Sequence, residues 1–225
     1  RYRDLGRDAA EAMTAVLTEA HPDLTEHDLA ARGTSALWKR GIMPALILVG
    51  SESRVARYRH PVPTAARLGE RAMLVFCARR HGLVASLTRW VYFREPMPDE
   101  SLLDADVRAV EAAALRHSRP GARLSDVYAR LAEAYAAAGH AGEIDRHHQG
   151  GTAGYRAREV VASPATETAI EAQTAVAWNP SLPGAKVEDT VLVTETGHEV
   201  LTADPAWPTV LNADGLARPA LLVRP

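Results

Sequence analysis

Two runs rich in Val, Leu, Phe, Trp and Tyr, Ala72 to Arg79 and Leu83 to Phe93, flank Arg80-His81-Gly82. A short glycine-bearing turn between two β-forming runs predicts a hairpin, and that hairpin sets an antiparallel sheet at the centre of the chain. Pro96 to Asp99 breaks the sheet beyond it. Upstream, Leu5, Ala9, Met13, Val16 and Leu17 share one face of a helix predicted over Asp4 to Ala20, which Pro22 stops. Thr25, with Asp28 three residues on, opens a second helix that reaches Lys39 and closes at Gly41. Pro44 to Val49 is an apolar run suited to a buried strand. Arg57-Tyr58-Arg59-His60-Pro61 follows as a polar loop or edge, with Pro61 and Pro63 preventing a ladder beyond it. Downstream, helices are predicted over Glu100 to His117 and from Ser125 to Gly139. Strands are predicted over Ala175 to Trp178, Lys186 to Thr194, Glu199 to Thr202 and Ala220 to Val223. Helices in pairs and strands in hairpins make the fold class α+β, with an antiparallel-dominated sheet and helices packed outside.

At 225 residues the chain is long enough for a substantial core, and one domain over 1–225 is expected. A formal net charge of −2 gives no electrostatic grip on nucleic acid or on an anionic membrane. No apolar run approaches the roughly 20 residues that span a bilayer. The first turn mixes acidic and basic residues, unlike a signal peptide, and the only cysteine, Cys77, rules out an intrachain disulfide. A cytoplasmic location is the expectation that fits.

Chemistry concentrates in one stretch, His147-His148-Gln149-Gly150-Gly151-Thr152-Ala153-Gly154-Tyr155-Arg156-Ala157-Arg158-Glu159. No alternation or helical period runs through it, so it reads as the wall of a site that buries little and presents much. Trp178-Asn179-Pro180-Ser181 and Gly184-Ala185-Lys186-Val187-Glu188-Asp189-Thr190 add polar groups further on. Zinc is not the natural reading, because no His-x-x-x-His or Cys-x-x-Cys pairing occurs. Cys77 lies mid-strand beside Phe76, where a buried inert thiol is expected, and Ser86 lacks the glycine-flanked elbow of a hydrolase nucleophile. Acid/base chemistry is better supplied, by the imidazoles of His60, His147 and His148 with Arg158, Glu159 and Glu188.

The order of these pieces resembles the catalytic domain of the pita-bread family, which includes aminopeptidase P, prolidase, methionine aminopeptidase and creatinase. The resemblance runs from Asp4 to about Pro208. Its markers are two helices and a strand, then Arg59-His60-Pro61, Leu68-Gly69-Glu70, the hairpin ending Gly82 to Arg89, and Gly184 to Thr194 with Gly197 just after. It implies a curved, mostly antiparallel sheet flanked by two helix pairs, with the site in the concavity. The N-terminal domain of larger relatives is expected to be absent or removed. The family's peptidases hold two metal ions through two aspartates, a histidine and two glutamates. Those positions correspond here to Val75, Ser86, Gly151, Asn179 and Glu188, and the reaction's further histidine corresponds to Arg158. One carboxylate among five positions cannot offset the charge of two metal ions, so no metal and no cofactor are expected.

Creatinase, which the resemblance includes, hydrolyses a guanidino compound without metal and with an imidazole at the position of His60. The expected function is accordingly a metal-independent hydrolase or lyase acting on a small polar molecule in the concave cleft. The candidate catalytic residues are His60, His147, His148 and Glu188. The candidate substrate-binding residues are Arg59, Gln149, Tyr155, Arg158, Glu159, Trp178, Asn179 and Lys186, with Arg158 and Lys186 holding a carboxylate. The alternative is a non-catalytic binding module made from a peptidase fold. Homodimerisation is left open.

Overall fold

The computed structural model describes residues 1–212 and 215–225. Helices α1 (Tyr2–Thr18) and α2 (Glu26–Trp38) come first. The start of α2 is fixed by a reciprocal cap in which Thr25 Oγ1 accepts the Asp28 N–H at 3.1 Å and Asp28 accepts the Thr25 N–H at 2.9 Å. Strand β1 (Met43–Ser51) leads into a single-turn helix, α3 (Glu52–Val55), and then the hairpin of β2 (Arg71–Arg80) and β3 (Leu83–Tyr92). Its turn is two residues, His81 and Gly82, with φ of 55° and 85°. That left-handed pair matches the twist of the flanking strands, and only the second position is glycine.

The second half begins with α4 (Pro98–His117), α5 (Leu124–Ala137) and a 3₁₀ helix (Ala141–Arg146). Strands β4 (Gly150–Ala153), β5 (Val160–Val161) and β6 (Ala175–Trp178) follow. A ribbon of β7 (Ser181–Leu182) and β8 (Ala185–Lys186) precedes β9 (Asp189–Val193) and β10 (His198–Val200). The chain ends with β11 (Thr209–Leu211), β12 (Ala217–Pro219) and β13 (Leu222–Val223).

Two sheets, ordered β1-β2-β3-β13 and β10-β9-β6-β4-β5, each carry one helix pair. On the first, Leu5, Met13, Leu29 and Leu37 pack against Leu74, Phe76, Leu87 and Val91. On the second, Val107, Val110, Val127 and Leu131 pack against Val176, Trp178, Val191 and Val193. The sheets meet along β3 and β9. Thr88 N–H donates to Glu188 O at 3.0 Å. The Thr190 hydroxyl accepts from Ser86 N at 2.7 Å and donates to Ser86 O at 3.0 Å. This seam gives the curved, mostly antiparallel α+β pita-bread architecture. Among the described residues no helix is long and apolar enough to cross a membrane.

Four local expectations change. The glycine-rich stretch is not all open wall, because Gly150 to Ala153 form a buried strand paired on both sides. Its all-small sequence hid the alternation that marks a strand. Lys186 to Thr194 is two strands, broken so that Glu188 forms an isolated bridge with Thr88. The first half of β1 is exposed at the sheet edge, where its pairing shifts between Pro44 and Leu46. Finally, β13 joins β3 in parallel.

A buried charge network fastens the C-terminal ribbon to this frame. Arg218 on β12 is 1% exposed and pairs with Glu111 of α4 and, at 2.9 Å, with Asp189 of β9. Arg89 of β3 reaches the same Asp189 at 2.8 Å. Removing Arg218 leaves Glu111 buried without a counter-charge. Arg218→Ala is therefore expected to cost about 3–5 kcal/mol in urea unfolding. A loss below about 1 kcal/mol would show that the network does not hold the ribbon.

Candidate functional site

Alternation along β3 decides which side chains reach the concave side of the seam. Leu87 and Val91 join the core under α1 and α2, so Ser86, Thr88 and Trp90 take the other face. Thr88 Oγ1 donates to Glu188 Oε2 at 2.8 Å, and Trp90 Nε1 donates to Lys186 O at 2.9 Å. Glu188 is the hub. Its Oε1 accepts from Arg158 Nη2 at 2.7 Å, and Lys186 Nζ stands 3.7 Å from Oε2. The same guanidinium donates from Nη2 to Asn179 Oδ1 at 2.9 Å and from Nη1 to Ala157 O at 2.6 Å, with Ser86 Oγ at 3.4 Å. Its Nε is buried and has no hydrogen-bond partner among the described residues. Side-chain exposures of 9% for Arg158, 3% for Lys186 and 4% for Glu188 place all three groups away from bulk solvent.

Burial alone would raise the Glu188 carboxyl, but the Lys186 and Arg158 cations outweigh it and hold its pKa at about 2. Burial lowers the Lys186 ammonium, and its contact with Glu188 only partly restores it.

Three imidazoles gather beside this triad. His60 and His148 stack at 5.6 Å between ring centroids, and His147 meets the His60 ring edge-on at 5.4 Å. His147 is spoken for at both nitrogens. Nδ1 lies 2.7 Å from His148 O, a group that only accepts, so Nδ1 carries the proton; Nε2 then accepts from Ser181 Oγ at 2.6 Å. Loss of hydration, reinforced by Lys186, lowers His147 to about 3. Desolvation, again reinforced by Lys186, lowers His60 to about 4, and desolvation followed by Arg158 lowers His148. His60 and His148 are exposed residues whose rings are partly covered where they stack on each other. All three are neutral at pH 7.

The structure thus brings His60, His147, His148, Arg158, Asn179, Lys186 and Glu188 to one place. It sets the other sequence-derived candidates elsewhere or gives them internal partners. Trp178 faces α4, with Nε1 donating to Ser118 Oγ at 2.9 Å, because its register on β6 points it into the core. Gln149 is fully buried, accepting from Tyr135 Oη at 2.9 Å and donating to Ile144 O at 2.9 Å and His147 O at 3.0 Å. Glu159 closes its own loop by accepting from Tyr155 N at 2.6 Å and Arg156 N at 3.1 Å. Tyr155 is 72% exposed and lies over the hairpin turn at Gly82. Arg59 pairs with Glu143 of the 3₁₀ helix. Sequence reasoning missed Thr88 and Ser181, which orient Glu188 and His147. A lone hydroxyl residue carries no spacing signal that could have marked them.

The two-metal centre implied by the resemblance can be tested on these residues. Val75 packs in an apolar cluster with Leu48, Met73 and Trp90. Gly151 has φ +151°, and a Cβ there would lie 2.0 Å from Val160 O, so the backbone admits no side chain. Ser86, Asn179 and Glu188 converge, but on the guanidinium of Arg158. Among the described residues no three His, Cys, Asp or Glu side chains form a group able to hold a metal ion. This donor set does not fit two metal ions, which would meet two cations and one carboxylate.

The family model of metallopeptidase family M24 matches residues 1–195. No curated protein sequence matches the chain. Solved structures with the same fold include X-Pro aminopeptidase from Thermotoga maritima, with TM-score 0.84 and 19% identity over 98% of this chain and 61% of that one. The dipeptidase PepE from Mycobacterium ulcerans superposes with TM-score 0.84 and 24% identity, over 99% of this chain and 59% of its own. Methionine aminopeptidase from Rickettsia prowazekii gives TM-score 0.74 and 15% identity over 90% and 95% of the two chains. The chain spans about three fifths of the length of the first two.

Two measurements follow from the site's electrostatics. Glu188→Ala leaves Arg158 and Lys186 buried with no anion, and the expected loss is about 3–5 kcal/mol; an unchanged melting temperature would mean that solvent reaches the triad. The lowered pKa values of His147 and Glu188 mean that the unfolded chain binds more protons than the folded one at acid pH. Their contribution is complete above about pH 6.5, the ordinary histidine value, and is lost as pH falls toward 3 for His147 and 2 for Glu188. Stability should decline on acidification from pH 6.5, and His147→Gln should flatten the part of that decline above pH 4.5. An identical profile in the variant would contradict the burial of that ring.

Proposed function

The chain belongs to metallopeptidase family M24, and from that premise we propose a metal-independent protein that takes a small anionic or zwitterionic molecule into its concave cleft. Its proposed activity is that of a hydrolase or lyase. The observation that carries the reading is the Arg158 guanidinium held between Ser86, Asn179 and Glu188. A fixed organic cation stands among the positions that the pita-bread resemblance gives to metal ligands. It supplies positive charge with no ion to load.

Lys186 has the spare capacity for a ligand. Its ammonium carries three protons, and Glu188 is its ion-pair partner at 3.7 Å. A ligand carboxylate or carbonyl oxygen would sit against Lys186 and Arg158 Nε, while both Arg158 Nη groups keep their internal partners. His60 and His148 make no ring hydrogen bond among the described residues, so either can exchange a proton with a bound molecule. In a hydrolysis the neutral imidazole takes a proton from water as the water oxygen bonds to the carbonyl carbon. The imidazolium then returns that proton to the departing nitrogen as the carbon–nitrogen bond breaks. An anionic ligand beside His60 raises its pKa from about 4 toward neutrality, which makes it a better base only when the site is filled.

A second reading, a binding module without turnover, is favoured by the internal partners that both Arg158 Nη groups and both His147 ring nitrogens already hold. Thermal shifts against amino acids, dipeptides, hydroxy acids and guanidino acids find the ligand class, and two variants separate the readings. His60→Ala should leave ligand affinity nearly intact while turnover falls roughly 10²–10⁴-fold, the range for a lost acid/base group. Lys186→Met should weaken binding itself. If both variants act on affinity and no amide, imide, guanidino or peptide substrate gives product, the binding module is the correct reading. Elemental analysis of the purified protein should show well under one transition-metal ion per chain. Two ions bound in the cleft would overturn metal independence.

A further inference from the structure

Beside the imidazoles lies a cavity of about 470 Å³ whose arginines the proposed chemistry does not use. It is lined by Arg57, Tyr58, Arg59 and His60 from one loop and by Glu143 and Arg146 from the 3₁₀ helix. Three guanidinium groups from two elements therefore face one space that contains one carboxylate. Glu143 pairs with Arg59 and holds it in place, while Arg59 Nη1 is buried with no hydrogen-bond partner. Arg57 and Arg146 form no ion pair among the described residues. The unsatisfied buried N–H at Arg59 is costly, Arg57 and Arg146 are exposed, and guanidinium forks match the paired oxygens of an oxyanion. His60 lines this cavity and its ring stacks on His148 at 5.6 Å, so the cavity borders the imidazole cluster.

We propose that Arg57, Arg59 and Arg146 form a second oxyanion subsite at the cleft mouth, and that the natural ligand carries two anionic groups. One lies at Lys186 and the other, a carboxylate or a phosphate, in the arginine cavity. The two-group ligand rests on the reading that the cleft binds a small anion; the arginine subsite itself does not. Such a ligand bridges the imidazole cluster, which places the bond between its two anionic ends beside His60 and His148.

Isothermal titration compares succinate, glutarate and adipate with butanoate, pentanoate and hexanoate, alongside inorganic phosphate. The proteins are wild type, Arg57→Gln with Arg146→Gln, and Glu143→Gln. The double variant keeps the Arg59–Glu143 pair, and its melting temperature confirms folding. In the wild type the best dicarboxylate should bind about tenfold tighter than the monocarboxylate of equal length. That advantage should vanish in the double variant, whereas Glu143→Gln, which removes the competing carboxylate, should increase it. Phosphate binding should likewise be lost in the double variant. Phosphate binding tighter than the dicarboxylates identifies the second group as phosphate, and the opposite order identifies it as carboxylate. Monocarboxylates that bind with no added gain from a second carboxylate, together with no phosphate binding that depends on Arg57 and Arg146, would overturn the subsite and leave the cleft reading standing. Phosphate binding that depends on Arg57 and Arg146, with no carboxylate binding at all, would do the reverse. Binding by none of the probes, or binding indifferent to the double variant, overturns the subsite.

Discussion

Everything in the concavity depends on one buried carboxylate answered by two cations. Glu188 stands where the two sheets meet, on a one-residue bridge to Thr88, and it receives Thr88, Arg158 and Lys186 at once. Burying an isolated carboxylate would shift its equilibrium toward the neutral acid, and burying either base alone would favour the neutral base. Together they stay ionised, because each desolvation cost is offset by a partner close enough to count. The positions of other groups follow. Asn179 reaches Arg158 and also donates to His148 O at 3.2 Å, so the imidazole cluster is referenced to the same guanidinium.

A comparable arrangement secures the opposite side of the seam. Asp189, the residue after Glu188, receives Arg89 and Arg218 while Thr202 donates to it at 2.6 Å. Two consecutive acidic residues on one extended segment point to opposite faces. One organises the cleft, and the other fastens the terminal ribbon and α4 to the sheet. A substitution that shifted this segment by one residue would exchange the two environments and leave both sets of arginines mismatched.

Much of the frame was legible from sequence because its signals are local. The hairpin, the reciprocal cap at Thr25 and Asp28, and the apolar stripe of α1 each lie within a few residues of one another. The charged core of the site was legible as separate polar segments but not as one cluster, since Arg158, Asn179, Lys186 and Glu188 come together through the pairing of β4, β6 and β9. Residues whose type suggests a site, such as Trp178 and Gln149, went into the core because strand register and buried partners, not residue chemistry, decide which way a side chain faces. The glycine-rich stretch misled for a related reason. A strand of Gly-Gly-Thr-Ala has too little side chain to show a period, although its backbone is fully paired.

The closeness of β5 to Gly151 limits what that position can carry. A side chain at that position would run into the Val160 carbonyl, 2.0 Å from where a Cβ would stand. On the correspondence with the pita-bread peptidases, this is the place of a ligand histidine. A side chain at residue 151, histidine included, would need β4 or β5 to move before it could be accommodated, because the obstacle is main chain and not a neighbouring side chain that could turn away. What this position can carry is therefore set by the spacing of two paired strands.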